Sequence, residues 1–306
     1  MANSQPFPKK PKGKPELESE SKAKNENIPI PIHELKPKLN AEPSLKTGLG
    51  ASIAIIGGTG FEKALSSPRL MEVETPFQYK PTVYLGEVSG HPVIFLPRHG
   101  IRHEFPPHRV PYKANIWCLR HLGIERIVAT NLVGSINPLF KPGDLVVPDD
   151  LIDFTKGRDG TFYHEMPVVH IDFTKPYCPQ IRRALIKAIK GLGEKVWDRA
   201  VYVCTEGPRY ETPAEIHMFR RLGADIVGMT SCPEASLARE LGICYASICL
   251  VSNMAAGMQR RLTTKEVMKV AEERGGILLK AIEETIRLIP EARRCGCRRS
   301  LDEASL

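Results

Sequence analysis

Short apolar runs recur along the chain, each closed by glycine, proline or polar residues, and between them lie stretches whose apolar positions repeat every three or four residues. Ala51 to Ile56 ends in Gly57-Gly58-Thr59-Gly60, which reads as a buried strand turning sharply at its C-terminal end. Similar runs predict strands over Pro92 to Leu96, Arg126 to Thr130, Asp144 to Pro148, Ala200 to Thr205, Ile226 to Met229 and Cys244 to Ser252. The longer period predicts helices over Tyr112 to Leu122, Cys178 to Leu192, Pro213 to Leu222, Pro233 to Leu241 and Thr264 to Leu288. Strands alternating with helices imply an α/β fold: a single domain with a central mixed, largely parallel sheet flanked by helices, because parallel neighbours need crossovers. No repeat and no linker divides residues 51–290. In such sheets ligands collect at the C-terminal edges of the strands. Gly57 to Gly60, Arg98 to Gly100, Asn131 to Ser135 and Met229-Thr230 all fall there, so a shared site is expected.

Composition changes this picture mainly at the two ends. The 306 residues, 42% of them hydrophobic, suffice for a sizeable core. The absence of a long unbroken apolar stretch or an apolar N-terminal region argues against a membrane span and a secretory signal, and a cytoplasmic protein is expected. The formal charge of +8 invites a nucleic-acid reading. Much of the excess lies in residues 1–50, with runs such as Pro8-Lys9-Lys10-Pro11-Lys12, and in Arg293, Arg294, Arg298 and Arg299 of the 291–306 tail. Lys-Pro alternation cannot bury apolar surface, so residues 1–50 read as a disordered, solubilising extension and no specific nucleic-acid partner is expected. The rival reading, a basic nucleic-acid-binding protein, requires steep salt dependence and loss of binding when that extension is removed. Eight cysteines are scattered without paired metal-ligand spacing, so no metal is expected. Cys295-Gly296-Cys297 is the exception, and the tail itself holds no second pair.

Thr205-Glu206-Gly207-Pro208-Arg209-Tyr210-Glu211-Thr212 sets an aromatic ring beside a carboxylate in a segment that Gly207 and Pro208 keep from being an ordinary helix. A ring that stacks and a carboxylate that accepts a hydrogen bond suit a flat polar heterocycle such as a purine. Gly57-Gly58-Thr59-Gly60 lacks the third glycine of a dinucleotide fingerprint and the Gly-Lys-Ser/Thr of a Walker loop. What remains is a tight turn whose N–H groups and threonine hydroxyl can surround a free phosphate. Arg98 and His99 supply donors of the kind an oxyanion needs.

Together with Leu96-Pro97-Arg98-His99-Gly100, Ala129-Thr130-Asn131-Leu132-Val133-Gly134-Ser135, Gly228-Met229-Thr230 and Ser252-Asn253-Met254-Ala255-Ala256, these segments resemble the trimeric purine nucleoside phosphorylase and methylthioadenosine phosphorylase family, from about Ser52 to about Pro290. The resemblance implies phosphate contacts from Thr59, Arg98, His99 and Thr230, with His103 nearby and His108 outside the site. It implies ribose or phosphate contacts from Asn131 and Leu132, a backbone ribose contact from Met229, and purine stacking on Tyr210. Leu132 departs from the usual alanine. Aminopurine-specific members carry two aspartates two positions apart where this chain has Asn253 and Ala255. With Glu211 after the stacking ring, the pattern is that of 6-oxopurine phosphorylases, whose substrate offers N1–H to a carboxylate while an amide serves O6 and N7. Thr264 corresponds to the residue at the ribose 5′ end, and His170 to a histidine lining the methylthio pocket near a subunit boundary. The implied activity is phosphorolysis of inosine and guanosine in purine salvage, with inorganic phosphate as co-substrate, no cofactor, and a homotrimer or dimer of trimers. Phosphorolysis of 5′-methylthio nucleosides is the alternative, and a nucleoside-binding regulator without turnover is the weakest reading because the phosphate residues are all present. Some heat-adapted members carry disulfides that include a Cys-x-Cys bridge near the C-terminus. Such a ring is small and readily reduced, so free thiols are expected in an ordinary cytosol.

Overall fold

A computed structural model describes residues 50–58, 61–164, 167–302 and 304. The extension expected over residues 1–50, apart from Gly50, and the candidate phosphate ligand Thr59 lie outside them. The first apolar run forms β1 (Ile53–Gly57), flanked on both sides by parallel neighbours, β4 (His91–Pro97) and β5 (Arg126–Ser135). Beyond β4 the sheet continues antiparallel through β3 (Thr82–Val88) to β2 (Ser66–Glu72). On the other side, β5 meets β10 (Ile226–Gly228), followed by β9 (Val201–Thr205) and β7 (Asp150–Phe154). β11 (Cys244–Met254) runs parallel to the whole of β5 and also pairs with the two-residue β6 (Leu145–Val146), which pairs in turn with β8 (Val196–Trp197). The expected mixed, largely parallel sheet flanked by helices is what forms.

Among the described residues the α-helices are α1 (Tyr112–His121), α2 (Pro179–Gly191), α3 (Pro213–Arg221), α4 (Ser231–Glu240) and α5 (Thr264–Leu288). Each falls where the apolar period places it, but α4 begins two residues before the Pro233 expected from sequence, directly after Thr230. Ile55, Ile56, Val128, Ala129, Ile248 and Leu250 are fully buried at the sheet centre. Each large aliphatic side chain so buried contributes about 1.5–3 kcal/mol.

Two differences from the sequence reading have physical causes. The strands β2 and β3 form an edge meander with no long apolar run to announce it: β2 is almost wholly exposed and carries Pro68 and Arg69. β5 does not stop at Thr130 but runs to Ser135, through the polar Asn131 and the bare Gly134. Asn131 is tolerated inside a buried strand because its amide donates to Ser247 Oγ on neighbouring β11 at 2.6 Å. The Asn131 to Ser135 segment is therefore part of the central strand rather than a loop after it.

Candidate active site

The C-terminal ends of β1, β4, β5, β9, β10 and β11 surround a cleft of about 330 Å³. Arg98, His99, Asn131, Leu132 and Thr230 line one part of it, and Tyr210, Glu211, Met229, Asn253 and Ala255 line another. A wider depression of about 810 Å³ between α2 and α5 collects none of these residues. The smaller cleft is the one with convergent polar groups, which makes it the candidate site.

At the strand ends, the N–H of Arg98 donates to Gly57 O at 2.9 Å, setting the ends of β4 and β1 side by side. The Arg98 guanidinium is only 3% exposed. It forms a fork with Glu234 of α4, Nε to Oε1 at 2.6 Å and Nη2 to Oε2 at 3.0 Å, while Nη1 donates to Thr130 O at 2.8 Å. Burial works against its charge, and the Glu234 carboxylate outweighs burial, so the guanidinium stays protonated more firmly than usual. Tyr245 Oη donates to Glu234 Oε2 at 2.8 Å and completes the pair's hydrogen bonding.

His99 stacks on His103 with ring centroids 4.5 Å apart. Its Nδ1 lies 2.8 Å from Phe105 O, and a carbonyl only accepts, so Nδ1 carries the proton. Burial, with Arg98 beside it, lowers the imidazole pKa to about 4. His99 is thus neutral and presents Nε2 as a lone pair, an acceptor where the sequence suggests a donor. Thr230 Oγ1 donates to Asn131 Oδ1 at 2.8 Å, and the Thr230 N–H donates to Tyr202 Oη at 3.3 Å. The Tyr202 hydroxyl reaches that position because residue 228 is glycine: a Cβ there would lie 2.0 Å from it.

Thr212-Pro213-Ala214-Glu215 forms a capping box at the start of α3, with Thr212 and Glu215 bonding each other's backbone N–H. Arg209 donates to both Glu215 oxygens, at 2.8 and 2.7 Å, so Tyr210 and Glu211 sit between two anchored residues. Tyr210 keeps 38% of its surface exposed. Glu211 is half-buried, and Thr205 Oγ1 donates to its Oε1 at 2.7 Å. Burial raises its pKa despite that hydrogen bond.

Asn253 reaches the cleft through a β-bulge. The register of β11 on β5 shifts between Val251 and Asn253, which brings Asn253 opposite Gly134. A Cβ on residue 134 would lie 3.1 Å from Asn253 Nδ2, so the bare backbone makes room for the amide. Its Oδ1 accepts from Ser252 Oγ at 2.8 Å and its Nδ2 donates to Met254 O at 2.9 Å, which fixes the orientation of the amide.

Thr264 is exposed at the start of α5 and does not line the cleft; Leu262, Val267 and Leu278 do. His170 is also exposed and outside the lining, its N–H donating to Ala304 O at 2.7 Å.

The family model of the phosphorylase superfamily matches residues 52–287. This chain belongs to that superfamily. As a phosphorylase-superfamily member it is 51% identical over 263 residues to the 6-oxopurine nucleoside phosphorylase of Pyrococcus furiosus, covering 83% of this chain and 98% of that protein. It is also 51% identical over 256 residues to a probable S-methyl-5′-thioinosine phosphorylase of Methanopyrus kandleri, covering 83% of this chain and 99% of the other. Among solved structures, a methylthioadenosine phosphorylase from an Antarctic soil metagenomic library superposes with a TM-score of 0.79 at 36% identity, covering 84% and 93% of the two chains.

Sequence reasoning missed the residues that hold this phosphorylase's site together. Arg158 is the largest omission: its Nε bonds Glu206 Oε2 at 3.2 Å, Nη1 reaches Tyr112 Oη at 3.0 Å and Met229 O at 2.6 Å, and Nη2 reaches Thr205 O at 3.0 Å and Glu206 O. A lone arginine in a polar stretch gives no signal of this. Glu234 was legible in principle, as a charged residue on the apolar-flanked stretch that forms α4. The Thr212/Glu215 capping box was legible outright from its spacing.

Proposed function

We propose that the chain is a purine nucleoside phosphorylase that cleaves 6-oxopurine ribonucleosides, inosine and guanosine, with inorganic phosphate to give free base and ribose 1-phosphate. The observation that carries this reading is the placement of Glu211 and Asn253 with Tyr210 in the same cleft as Arg98, His99 and Thr230. The similarity to the Pyrococcus furiosus 6-oxopurine enzyme supports it.

In this reading phosphate lies against Thr230, His99 and the Arg98 side, and the family resemblance adds Thr59 as a further ligand. The neutral His99 accepts at Nε2 from the hydroxyl of the phosphate dianion, which turns the unprotonated oxygens toward C1′. Asn131 holds Thr230, Leu132 lines the ribose, and the Met229 backbone contacts it. A phosphate oxygen bonds to C1′ as the C1′–N9 bond breaks, and the purine leaves with the electron pair. Asn253 stabilises the charge that develops at N7 and O6, and the ionised Glu211 accepts from N1–H. Ala255 leaves space where a carboxylate would disfavour a 6-oxo group. Most of the acceleration comes from positioning and preorganised electrostatics, so phosphate is a co-substrate and no cofactor is required.

A second reading, phosphorolysis of 5′-methylthio nucleosides, is favoured by one feature: Leu262, Val267 and Leu278 form an apolar wall in the segment expected to meet the ribose 5′ end. The likeness to the Methanopyrus kandleri protein points the same way. His170 belongs to this question, because in a homotrimer, or a dimer of trimers, a neighbouring subunit would carry it to the 5′ end. A cytoplasmic place and a role in purine salvage follow from the proposed substrates; no helix among the described residues is long and apolar enough to cross a membrane.

The deciding experiment is phosphate-dependent base release from inosine, guanosine, adenosine, methylthioinosine and methylthioadenosine under identical conditions. Cleavage of inosine and guanosine with adenosine spared is expected. A preference for a methylthio substrate moves the assignment to the second reading, and no cleavage refutes both.

A further inference from the structure

Four of the eight cysteines, from three separate parts of the sequence, meet at the start of β11, away from the cleft. The sulfurs of Cys178, Cys244, Cys295 and Cys297 all lie within 4.8 Å of one another. Three separate segments deliver them. Cys178 precedes the first turn of α2, Cys244 opens β11, and Cys295 precedes the short turn Gly296–Arg299, which contains Cys297. The second pair that the Cys-x-Cys tail lacks in sequence is therefore supplied by the body of the fold.

We propose that these four thiols form a tetrathiolate site for a soft divalent cation, Zn2+, that fastens the C-terminal segment to the sheet. A zinc ion with sulfurs at about 2.3 Å in a tetrahedron requires them about 3.8 Å apart, so small adjustments from the present spacing are enough. Cys244 and Cys295 are already 3.3 Å apart, and Cys178, Cys244 and Cys297 are buried, as in closed structural sites.

The surroundings are organised as a metal site's supporting shell would be. Gln180 holds the tail in place: its Oε1 accepts from the N–H of Arg294 and of Cys295, at 2.9 and 3.1 Å, and its Nε2 donates to Ala292 O at 3.1 Å. Arg126 donates to Pro290 O at 3.0 Å, so the chain arrives already fixed. Four thiolates around a divalent ion leave a net charge of −2, and two positive features face it. One is the N-terminus of α2 beside Cys178. The other is Arg293, within electrostatic reach of Cys244 and Cys295, whose buried Nε has no hydrogen-bond partner among the described residues. A sulfur acceptor carrying full negative charge answers that orphaned donor.

The site is remote from the cleft, since Cys244 and Asn253 stand at opposite ends of β11, nine residues or about 30 Å apart. Metal loss should therefore change stability and leave turnover alone. The test uses the full chain purified under reducing conditions without chelator, with elemental analysis, intact mass and cobalt titration. One zinc per chain is expected, and cobalt in its place should give the intense sulfur-to-metal absorption of tetrahedral thiolate sites. Cys295→Ser and Cys297→Ser should reduce metal content at least tenfold, lower the melting temperature, and keep kcat within twofold. Should the variants fail to fold, the wild-type cobalt spectrum decides alone. A protein isolated with the four thiols paired as two disulfides, a reduced protein that takes neither metal, or cobalt bound without sulfur-to-metal absorption would each overturn the proposal.

Discussion

At the Arg98 end of the cleft, polar side chains are held by one another across neighbouring strands and helices: Arg98 by Glu234, Glu234 by Tyr245, Thr230 by Asn131, Asn131 by Ser247. At the Tyr210 end the ring is 38% exposed, and Glu211 sits on a loop with one side-chain partner, Thr205. The first end is an extension of the core, so its geometry is fixed before any ligand arrives. The second is a short bridge between anchors, able to differ in chemistry without disturbing the sheet. If phosphate and base bind as proposed, a fold with the phosphate end in the core and the base end on a loop could change the base it accepts while leaving phosphate chemistry intact.

The largest effect should come from breaking the rigid end. Glu234→Ala leaves the Arg98 cation buried without its partner and should cost about 3–5 kcal/mol of stability, read by denaturant unfolding. An unchanged unfolding midpoint would show that the pair is not what holds this end. Next, Asn253→Ala should raise the phosphorolysis barrier by about 2–4 kcal/mol, seen in kcat, with unfolding little changed because the residue borders the cleft. Intact turnover of inosine by that variant would reject its place in the mechanism.

These two residues also show how differently the two ends could be read from sequence. Asn253 was legible through the family resemblance, which sets it and Ala255 where aminopurine-specific members carry two aspartates. Its route into the cleft was not: the bulge and the open space at Gly134 depend on pairing between strands more than a hundred residues apart. Arg98 was legible as a cation, but its carboxylate partner lies 136 residues away, so nothing local distinguishes a free phosphate ligand from a buried ion pair. The helices and central strands were legible from period and burial. The β2–β3 meander was not, since an exposed edge strand carries no apolar run.

A smaller effect tests what lies between the two ends. Arg158→Lys replaces a planar donor fork by a point charge and should raise KM for nucleoside by roughly tenfold, about 1.4 kcal/mol, with kcat falling less. Equal losses in both would place Arg158 in the chemistry rather than beneath it.

The gentlest perturbation is pH itself. Burial raises the Glu211 pKa, and only the ionised carboxylate accepts from N1–H. Cleavage of inosine should therefore fall as pH drops through that raised pKa, beginning at a higher pH than an ordinary glutamate would dictate. In Glu211→Gln this acid limb should disappear from the kcat/KM profile, and discrimination against adenosine should weaken by about tenfold to a hundredfold. An acid limb that survives the substitution would assign it to another group.

Arg158 carries one further consequence. With all five of its N–H groups engaged, it ties Tyr112, the Thr205-Glu206 turn and Met229 into a single floor beneath the cleft. None of those bonds reaches Tyr210 or Glu211. In the binding mode proposed above, the ribose would rest on a surface that tilts as one piece or not at all, and the freedom to accommodate a different base would be confined to two side chains standing just beyond its rim.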